Sequence, residues 1–434
     1  MKVSGWGRYP WVDSEVLCPV SFSESERSIR TSGRTAVRGL GRSYGDSSLY
    51  RNILDSRYLD RYIEFDQNSG QLTCSAGISL DQIITTFLPR GWFLPVTPGT
   101  RYVTVGGAIA SDVHGKNHHV DGTFCDHVDE LQLLLGNGEV VTVSPDVNRD
   151  LFRATCGGMG LTGVILTARF KLRLIGSGNM VQRVIKTPDI EATLDAFEEN
   201  VDASYSVAWI DCLAKGKALG RSLLMLGEHV KHGSLGKASG KGISIPCDMP
   251  SQLINPLSMK LFNSLYYYKA PRSGARNIVS LQSFFYPLDS LRNWNRLYGN
   301  RGFLQYQFVL PKSSGIKGIT QMLERISRSG RGSFLAVLKV FGSANANLLS
   351  FPIEGYTLAL DFKAEPAVFE LLDQLDEIML SHGGRLYLTK DSRMSKETFR
   401  AGYPERARFN QIRERHHALG KFVSNQSIRL GLDS

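Results

Sequence analysis

Through the first 175 or so positions, apolar runs with a period of two alternate with stretches of helical period, the pattern of short strands interleaved with helices. Residues 36–39 read as an apolar strand running into a glycine loop. Residues 64–66 and 71–76 flank Asn68-Ser69-Gly70 and predict a hairpin. Ser79 then caps a helix: Leu80, Ile83, Ile84, Phe87 and Leu88 fall at i, i+3, i+4, i+7 and i+8, and Gly91 closes it. Residues 131–135 and 139–143 pair across Gly136-Asn137-Gly138, and after Gly157-Gly158-Met159-Gly160 a strand is predicted over 164–174. Residues 213–275 are rich in Lys, Gly and Ser, with little periodicity before 261–268, and predict a variable, partly mobile segment. Aromatic strands follow over 283–286, 303–310 and 334–341, with a helix over 316–329 between the last two. Alternation along the second of these strands puts Gln305 and Gln307 on one face. No repeat at solenoid spacing is visible.

A length of 434 residues corresponds to about two domains, and 42% hydrophobic with 21% charged residues excludes disorder, collagen and coiled coil. No apolar run approaches the roughly 18 residues of a membrane span, and residues 1–10 lack the apolar core of a secretory signal, so a cytoplasmic protein is expected. The 6 Cys residues are scattered without a C-x-x-C pair and read as reduced packing residues. Lys plus Arg exceed Asp plus Glu by 51 to 41, a net charge of +10 that suits an anionic partner. The basic residues are dispersed rather than clustered with aromatics, which argues against a nucleic-acid partner.

Two glycine-dense loops carry the candidate chemistry. One is Arg38-Gly39-Leu40-Gly41-Arg42-Ser43-Tyr44-Gly45-Asp46. The other runs from Pro98-Gly99-Thr100 into Val103-Thr104-Val105-Gly106-Gly107-Ala108-Ile109-Ala110-Ser111-Asp112-Val113-His114-Gly115-Lys116. Without Cβ atoms in the way, backbone N–H groups in such loops converge on phosphate oxygens, and a dinucleotide is the natural ligand. Neither loop is a Walker A, and the first lacks the spacing of a Rossmann fingerprint.

The order of these motifs resembles the FAD-binding domain of the vanillyl-alcohol-oxidase superfamily. More narrowly, His114-Gly115-Lys116-Asn117-His118-His119, Phe303-Leu304-Gln305-Tyr306-Gln307-Phe308, Ser350-Phe351-Pro352-Ile353 and Gly384-Arg385-Leu386-Tyr387-Leu388-Thr389-Lys390-Asp391-Ser392-Arg393 resemble the decaprenylphosphoryl-β-D-ribose 2′-oxidase family over nearly the whole chain. The resemblance implies an α+β, two-domain flavoprotein. Its FAD-binding domain, of the PCMH type, would take residues 1–176 and be completed by 385–434; its substrate domain, built on an antiparallel sheet, would take 177–384. It implies oxidation of the 2′-hydroxyl of a polyprenylphosphoryl-β-D-ribose to the keto sugar, the first half of epimerisation to the arabinose donor of mycobacterial cell walls. The alternative left open is a flavin oxidase of the same fold acting on a free alditol or sugar lactone.

Position by position, the resemblance implies that Gly39, Gly41, Arg42, Ser43, Tyr44 and Gly45, with Gly99, Thr100, Thr104, Val105, Gly106 and Gly107, hold the FAD diphosphate. Ser111, Val113 and His114 would run along the flavin, with Val164 and Tyr387 at its border. Lys116, Trp209, Tyr286, Gln305, Gln307 and Lys339 would form the substrate pocket, and Lys390, His114 and Tyr44 are the catalytic candidates. Relatives that tether FAD through the first loop carry a His before its Ser-aromatic pair; Arg42 stands there, so non-covalent FAD is expected. Thr357 and Ala359 depart from the asparagine and cysteine of the mycobacterial pattern.

Oxidising an alcohol on a flavin needs the C–H placed over the ring, an acceptor for the hydroxyl proton and a stabiliser of the reduced cofactor's charge. Among cations and a flavin, Lys390 could titrate near neutrality and act as a base, or stay charged and stabilise the reduced cofactor. Gln305 and Gln307 offer amides to sugar hydroxyls, and Lys339 a charge to a phosphate ester. His114, His118, His119 and His127 lie close in sequence, but their spacing is not that of a zinc site and no metal is expected. A lipid-linked substrate also implies peripheral contact with the inner membrane, with residues 259–268 either a candidate surface for it or part of the packed core, and a separate NAD(P)H-dependent short-chain reductase as partner.

Overall fold

In the computed structural model, which describes residues 1–236, 242–250, 255–271 and 273–433, the hairpin signal at Asn68-Ser69-Gly70 joins Tyr62–Phe65 to Gln71–Ser75. Gly70 adopts φ +77°, a conformation that favours glycine, and a Cβ there would strike the Trp92 ring. These strands form one side of a five-stranded antiparallel sheet in the order Val140–Val143, Val128–Leu134, Val164–Lys171, Gln71–Ser75, Tyr62–Phe65. The helix Leu80–Phe87 starts in a capping box between Ser79 and Gln82 and buries Leu80, Ile83, Ile84 and Phe87, as its apolar spacing requires. Gly91 follows at φ +84° and ends the last turn.

Beside this sheet, Glu15–Leu17, Asn52–Asp55 and Ala36–Arg38 form a small parallel sheet whose last strand delivers the first glycine loop. The C-terminal end of the chain returns here. Val423 N donates to Thr35 O at 3.0 Å, and the fully buried Arg413 guanidinium holds Leu161 O at 3.0 Å and Asp433 Oδ1 at 2.6 Å.

The second half builds an eight-stranded antiparallel sheet in the order Arg276–Ser280, Asn179–Thr187, Ser222–His229, Tyr205–Ile210, Ala336–Phe341, Gly355–Lys363, Phe303–Pro311, Arg385–Leu386. Helices Ile190–Glu198, Gly315–Ser329 and Pro366–Ser381 pack on one face. The Tyr306 hydroxyl reaches that layer, donating to Asp376 Oδ1 at 2.9 Å. Alternation then turns Gln305 and Gln307 to the opposite face, as their spacing predicts. The register sets Gln305 against Asp361, Gln307 against Ala359 and Lys339 against Thr357, and residues directly opposed in an antiparallel ladder share a face. The fold is thus α+β, with an antiparallel second sheet.

Three expectations are corrected. Residues 283–286 are not a strand: Leu281–Phe285 is a helix capped by Ser280, its rings buried against Tyr205. Four aromatic residues are too short a window to separate the two periods, and the cap decides. The strand over 164–174 breaks after Lys171, and Arg173–Leu174 pairs instead with Trp92–Phe93. The segment 213–275 contains a buried central strand, Ser222–His229, and the helix Pro256–Lys269; its residues 237–241, 251–254 and 272 lie outside the described residues.

Candidate active site

A cavity of about 540 Å³ opens between the glycine loops and the exposed face of the eight-stranded sheet. The first loop supplies Gly39, Gly41, Arg42, Ser43 and Tyr44 to its wall. The second supplies Gly99, Thr100, Thr104, Gly106 and Gly107, followed by Ser111, Val113 and His114. Facing them stand Lys116, Trp209, Gln305, Gln307, Lys339, Tyr387 and Lys390.

The loops fit a pyrophosphate. The backbone N–H groups of Leu40, Gly41, Arg42 and Ser43 donate to no partner among the described residues, and a Cβ on Gly99 would enter open space. Half-buried donors left free in this way, on the wall of a cavity, are the arrangement that anionic oxygens satisfy. Gly41 sits at φ +63° and has no room for a side chain against the Arg38 guanidinium. The Arg42 guanidinium lies 3.9 Å over the Trp6 ring and adds positive charge to the loop. Asp289 holds the second loop, accepting from Thr100 Oγ1 at 2.7 Å and from Arg101 N at 2.9 Å.

Four expected residues are not part of the wall. Gly45 lies behind it, where a Cβ would meet Asp391 O at 2.1 Å; its role is to let the turn carrying Lys390 approach. Val105 is fully buried, and Gly106 and Gly107 face the cavity in its place. Val164 packs into a cluster with Leu54 and Leu134, while its neighbours Gly163 and Ile165 reach the wall. Tyr286 is turned away, its hydroxyl 2.6 Å from Thr97 Oγ1; Phe284 and Phe285 line the cavity instead.

The remaining groups bring three half-buried lysines to the cavity wall. Lys116 donates to Phe284 O and lies 4.5 Å over the Phe284 ring; burial, with Lys339 nearby, pulls its ammonium down to about 7. Burial lowers Lys339 to about 8. Lys390 stands 4.1 Å over the Tyr44 ring, and burial lowers it to about 7 against the opposing pull of Asp361. Desolvation disfavours the charged form of each of these lysines, and an anion held by Lys116 and Lys339 would favour it at those two.

His114 is buried among Phe341, Phe351 and Tyr387. Burial, reinforced by Lys339, His118 and Lys390, puts it well below the usual imidazole range, so the ring is neutral. Gln307 Nε2 lies 3.0 Å from His114 Nε2 and 3.3 Å from Thr357 Oγ1. The other histidines of this stretch go to separate backbone partners: His118 Nδ1 accepts from Gly342 N, His119 Nε2 meets Ala203 O and His127 Nε2 meets Asp121 O.

Sequence reasoning missed two aspartates. Asp112 has φ +40°, strained for a non-glycine residue, and is held there by Asn345 and Asn347, which donate to its Oδ2 at 2.8 and 2.9 Å, and by Ser350 Oγ at 2.6 Å. It fixes the cavity-facing backbone of residues 111–114, and the Tyr387 hydroxyl donates to Ser111 O at 2.8 Å beside it. Asp361 lies under Gln305. A carboxylate amid the apolar run Leu358-Ala359-Leu360-Asp361-Phe362 was the available signal.

Residues 26–144 match the FAD binding domain family, of the PCMH type, which covers both glycine loops. The chain is 37% identical over 453 aligned positions to decaprenylphosphoryl-β-D-ribose oxidase of Mycolicibacterium smegmatis, across 99% of this chain and 97% of that one. It is 31% identical to an uncharacterised Streptomyces coelicolor protein across 82% of this chain and all of the other. Similarity to cytokinin dehydrogenase 9 of rice, 42% identity, is confined to 72 positions, 16% of this chain and 14% of that one. With a cavity that fits FAD and an alignment running the length of both proteins, the chain belongs to the decaprenylphosphoryl-β-D-ribose oxidase family and is an FAD-dependent oxidoreductase acting on a CH–OH group.

Proposed function

We propose that this enzyme oxidises the 2′-hydroxyl of a polyprenylphosphoryl-β-D-ribose to the 2′-keto sugar. The observation that carries the reading is the pairing, in one cavity, of Lys116, Lys339 and Lys390 with the two amides Gln305 and Gln307, directly across from the phosphate-binding loops. The ammonium groups of Lys116 and Lys339 suit a phosphate ester, the Lys390 amine suits a hydroxyl proton, and amides suit sugar hydroxyls. A free alditol or lactone would leave that positive charge uncompensated.

Bound FAD supplies the acceptor for the C–H hydride. The protein's own groups do the rest. Lys339 and Lys116 hold the phosphate and thereby orient the ribose. Lys390, poised near neutrality, accepts the 2′-hydroxyl proton at Nζ. Gln305 and Gln307 position the sugar, while Trp209, whose indole N–H donates to Phe334 O at 3.1 Å, walls the cavity from water. Neutral His114 and the Tyr44 ring support these groups rather than exchange protons.

The helix Pro256–Lys269 supports contact with a membrane surface. Leu257, Leu261, Leu265 and Tyr268 form a stripe along one face at helical spacing, with Leu257 78% and Tyr268 69% exposed. Tyr266 of the same helix lines the cavity, so a lipid tail leaving the site would pass along this stripe. Among the described residues no helix is long and apolar enough to cross a membrane. The reading places the enzyme peripherally on the cytoplasmic side of the inner membrane, with a short-chain NAD(P)H reductase completing the epimerisation. Anaerobic titration with short-prenyl phosphoribose should bleach the flavin; bleaching by a free alditol or lactone, with none from the phosphosugar, would overturn the reading.

A further inference from the structure

Asp361 is 1% exposed and stands directly across the ladder from Gln305, on the face of the sheet that bears the cavity, yet outside the cavity wall. A buried carboxylate is costly unless its oxygens are paired. Here Oδ1 accepts from Gln305 Nε2 at 2.7 Å, its backbone N–H is held by Ser333 Oγ at 3.1 Å, and Oδ2 has no partner among the described residues. The titratable groups that face it are Lys390, Tyr44 and Tyr298; Lys339 faces Lys390, and Arg42 and Asp289 face Tyr44. The nearby Tyr298 hydroxyl is likewise unpartnered among the described residues, so it does not neutralise the carboxylate. The mechanism above makes no use of this group.

The contact with Gln305 fixes a direction. A carboxylate oxygen only accepts, so the Gln305 amide must turn Nε2 inward; the same nitrogen lies 3.2 Å from the Tyr44 hydroxyl. Gln305 Oε1 is then left without a donor among the described residues and faces the cavity as an acceptor. Lys390, against the Tyr44 ring, has Asp361 as its opposing charge. One buried carboxylate therefore acts on both groups that the mechanism needs near the hydroxyl.

We propose that Asp361 is a positioning residue that fixes Gln305 with its carbonyl oxygen toward the substrate hydroxyl and sets the pH above which Lys390 is the free amine that can accept the hydroxyl proton. Loss of the carboxylate would release the Gln305 amide to rotate and leave Lys390 more easily deprotonated. Burial raises Asp361 itself to about 7, while the bond from Gln305 and the charge of Lys390 pull the other way, so the two side chains titrate in the same range. The proposal rests on the reading of Lys390 as proton acceptor, and its test separates the two.

The test is competitive acetylation of the FAD-loaded protein with acetic anhydride across pH 5–10, without sugar, with Lys390 and Lys339 followed separately by peptide mass spectrometry. Lys390 in the wild type should give a midpoint near 7. In Asp361→Asn it should fall by about one pH unit, the effect of removing one nearby opposite charge, while Lys339 moves less. Asp361→Glu, which keeps the charge, should stay near the wild type. An unchanged Lys390 midpoint in Asp361→Asn, or an equal fall in Asp361→Glu, would overturn the proposal. Asp361→Ser serves for the first variant if the asparagine form does not load FAD. In the turnover assay the acid limb of the pH profile should shift by the same amount, with a rise in KM from the freed Gln305 amide. A shift in the labelling midpoint without one in the pH profile would uphold Asp361 and remove Lys390 from the proton step.

Discussion

His114 and Gln307, far apart in sequence, meet with the imidazole Nε2 3.0 Å from the carboxamide Nε2. Thr357 determines the polarity of this contact: its hydroxyl donates to Phe308 O at 2.8 Å and so accepts from Gln307 Nε2. The amide nitrogen is therefore turned inward, and His114 Nε2 accepts from it. The imidazole is neutral and carries its hydrogen on Nδ1, which has no partner among the described residues. His114→Phe, which keeps the ring contacts and deletes the acceptor, should lower turnover by about ten- to a hundredfold, the cost of an unpaired buried donor. The midpoint of its pH profile should stay at the wild-type value. Loss of the acid limb in this variant would make His114 the proton acceptor.

Lys390 must be neutral to accept a proton, so the rate of flavin reduction should rise with pH through about 7, the value to which burial lowers this amine. Lys390→Ala should retain FAD, whose contacts lie in the glycine loops, and slow reduction by about a hundred- to ten-thousandfold. Lys390→Arg should not restore it, because guanidinium does not release its proton near neutral pH. Stopped-flow reduction of both variants under anaerobic conditions checks this; recovery in the arginine variant would mean that positive charge alone is required.

Lys339→Ala should raise KM for the phosphosugar by at least tenfold with little change in kcat, since phosphate contacts are equal in ground and transition states. Steady-state kinetics at fixed pH decide it, and equal losses in kcat and kcat/KM would show that Lys339 acts on the transition state.

The paired substitution Leu261→Glu and Leu265→Glu puts two charges on the exposed stripe of the helix Pro256–Lys269 and away from its buried Met259, Asn263 and Tyr267. Co-sedimentation with vesicles containing anionic phospholipid should fall severalfold while flavin content stays constant. Unchanged sedimentation would move the membrane contact elsewhere.

Much of this architecture is legible wherever one local rule acts alone. The Ser79 cap, the Gly70 and Gly138 turns and the alternation through Gln305 and Gln307 are fixed by short-range sterics and period, and each appears in the fold. Legibility ends where tertiary partners decide. The aromatic run 283–286 carries no period long enough to separate helix from strand, and the Ser280 cap tips it to helix. The same turn points the Tyr286 hydroxyl at Thr97 instead of into the cavity. Asp361 owes its importance to a ladder register between strands 56 residues apart in sequence, which no local pattern records. Asp112 is likewise defined by donors from Asn345, Asn347 and Ser350.

Deuterium at C2′ of the phosphoribosyl lipid tests most directly whether that C–H bond is the one broken over the flavin. Anaerobic stopped-flow reduction with short-prenyl phosphoribose carrying deuterium at C2′ should proceed severalfold more slowly than with the protiated compound, while deuterium at C3′ leaves the rate unchanged. Equal rates for the C2′-labelled and unlabelled substrates, with slowing by deuterium at C3′ instead, would contradict the account.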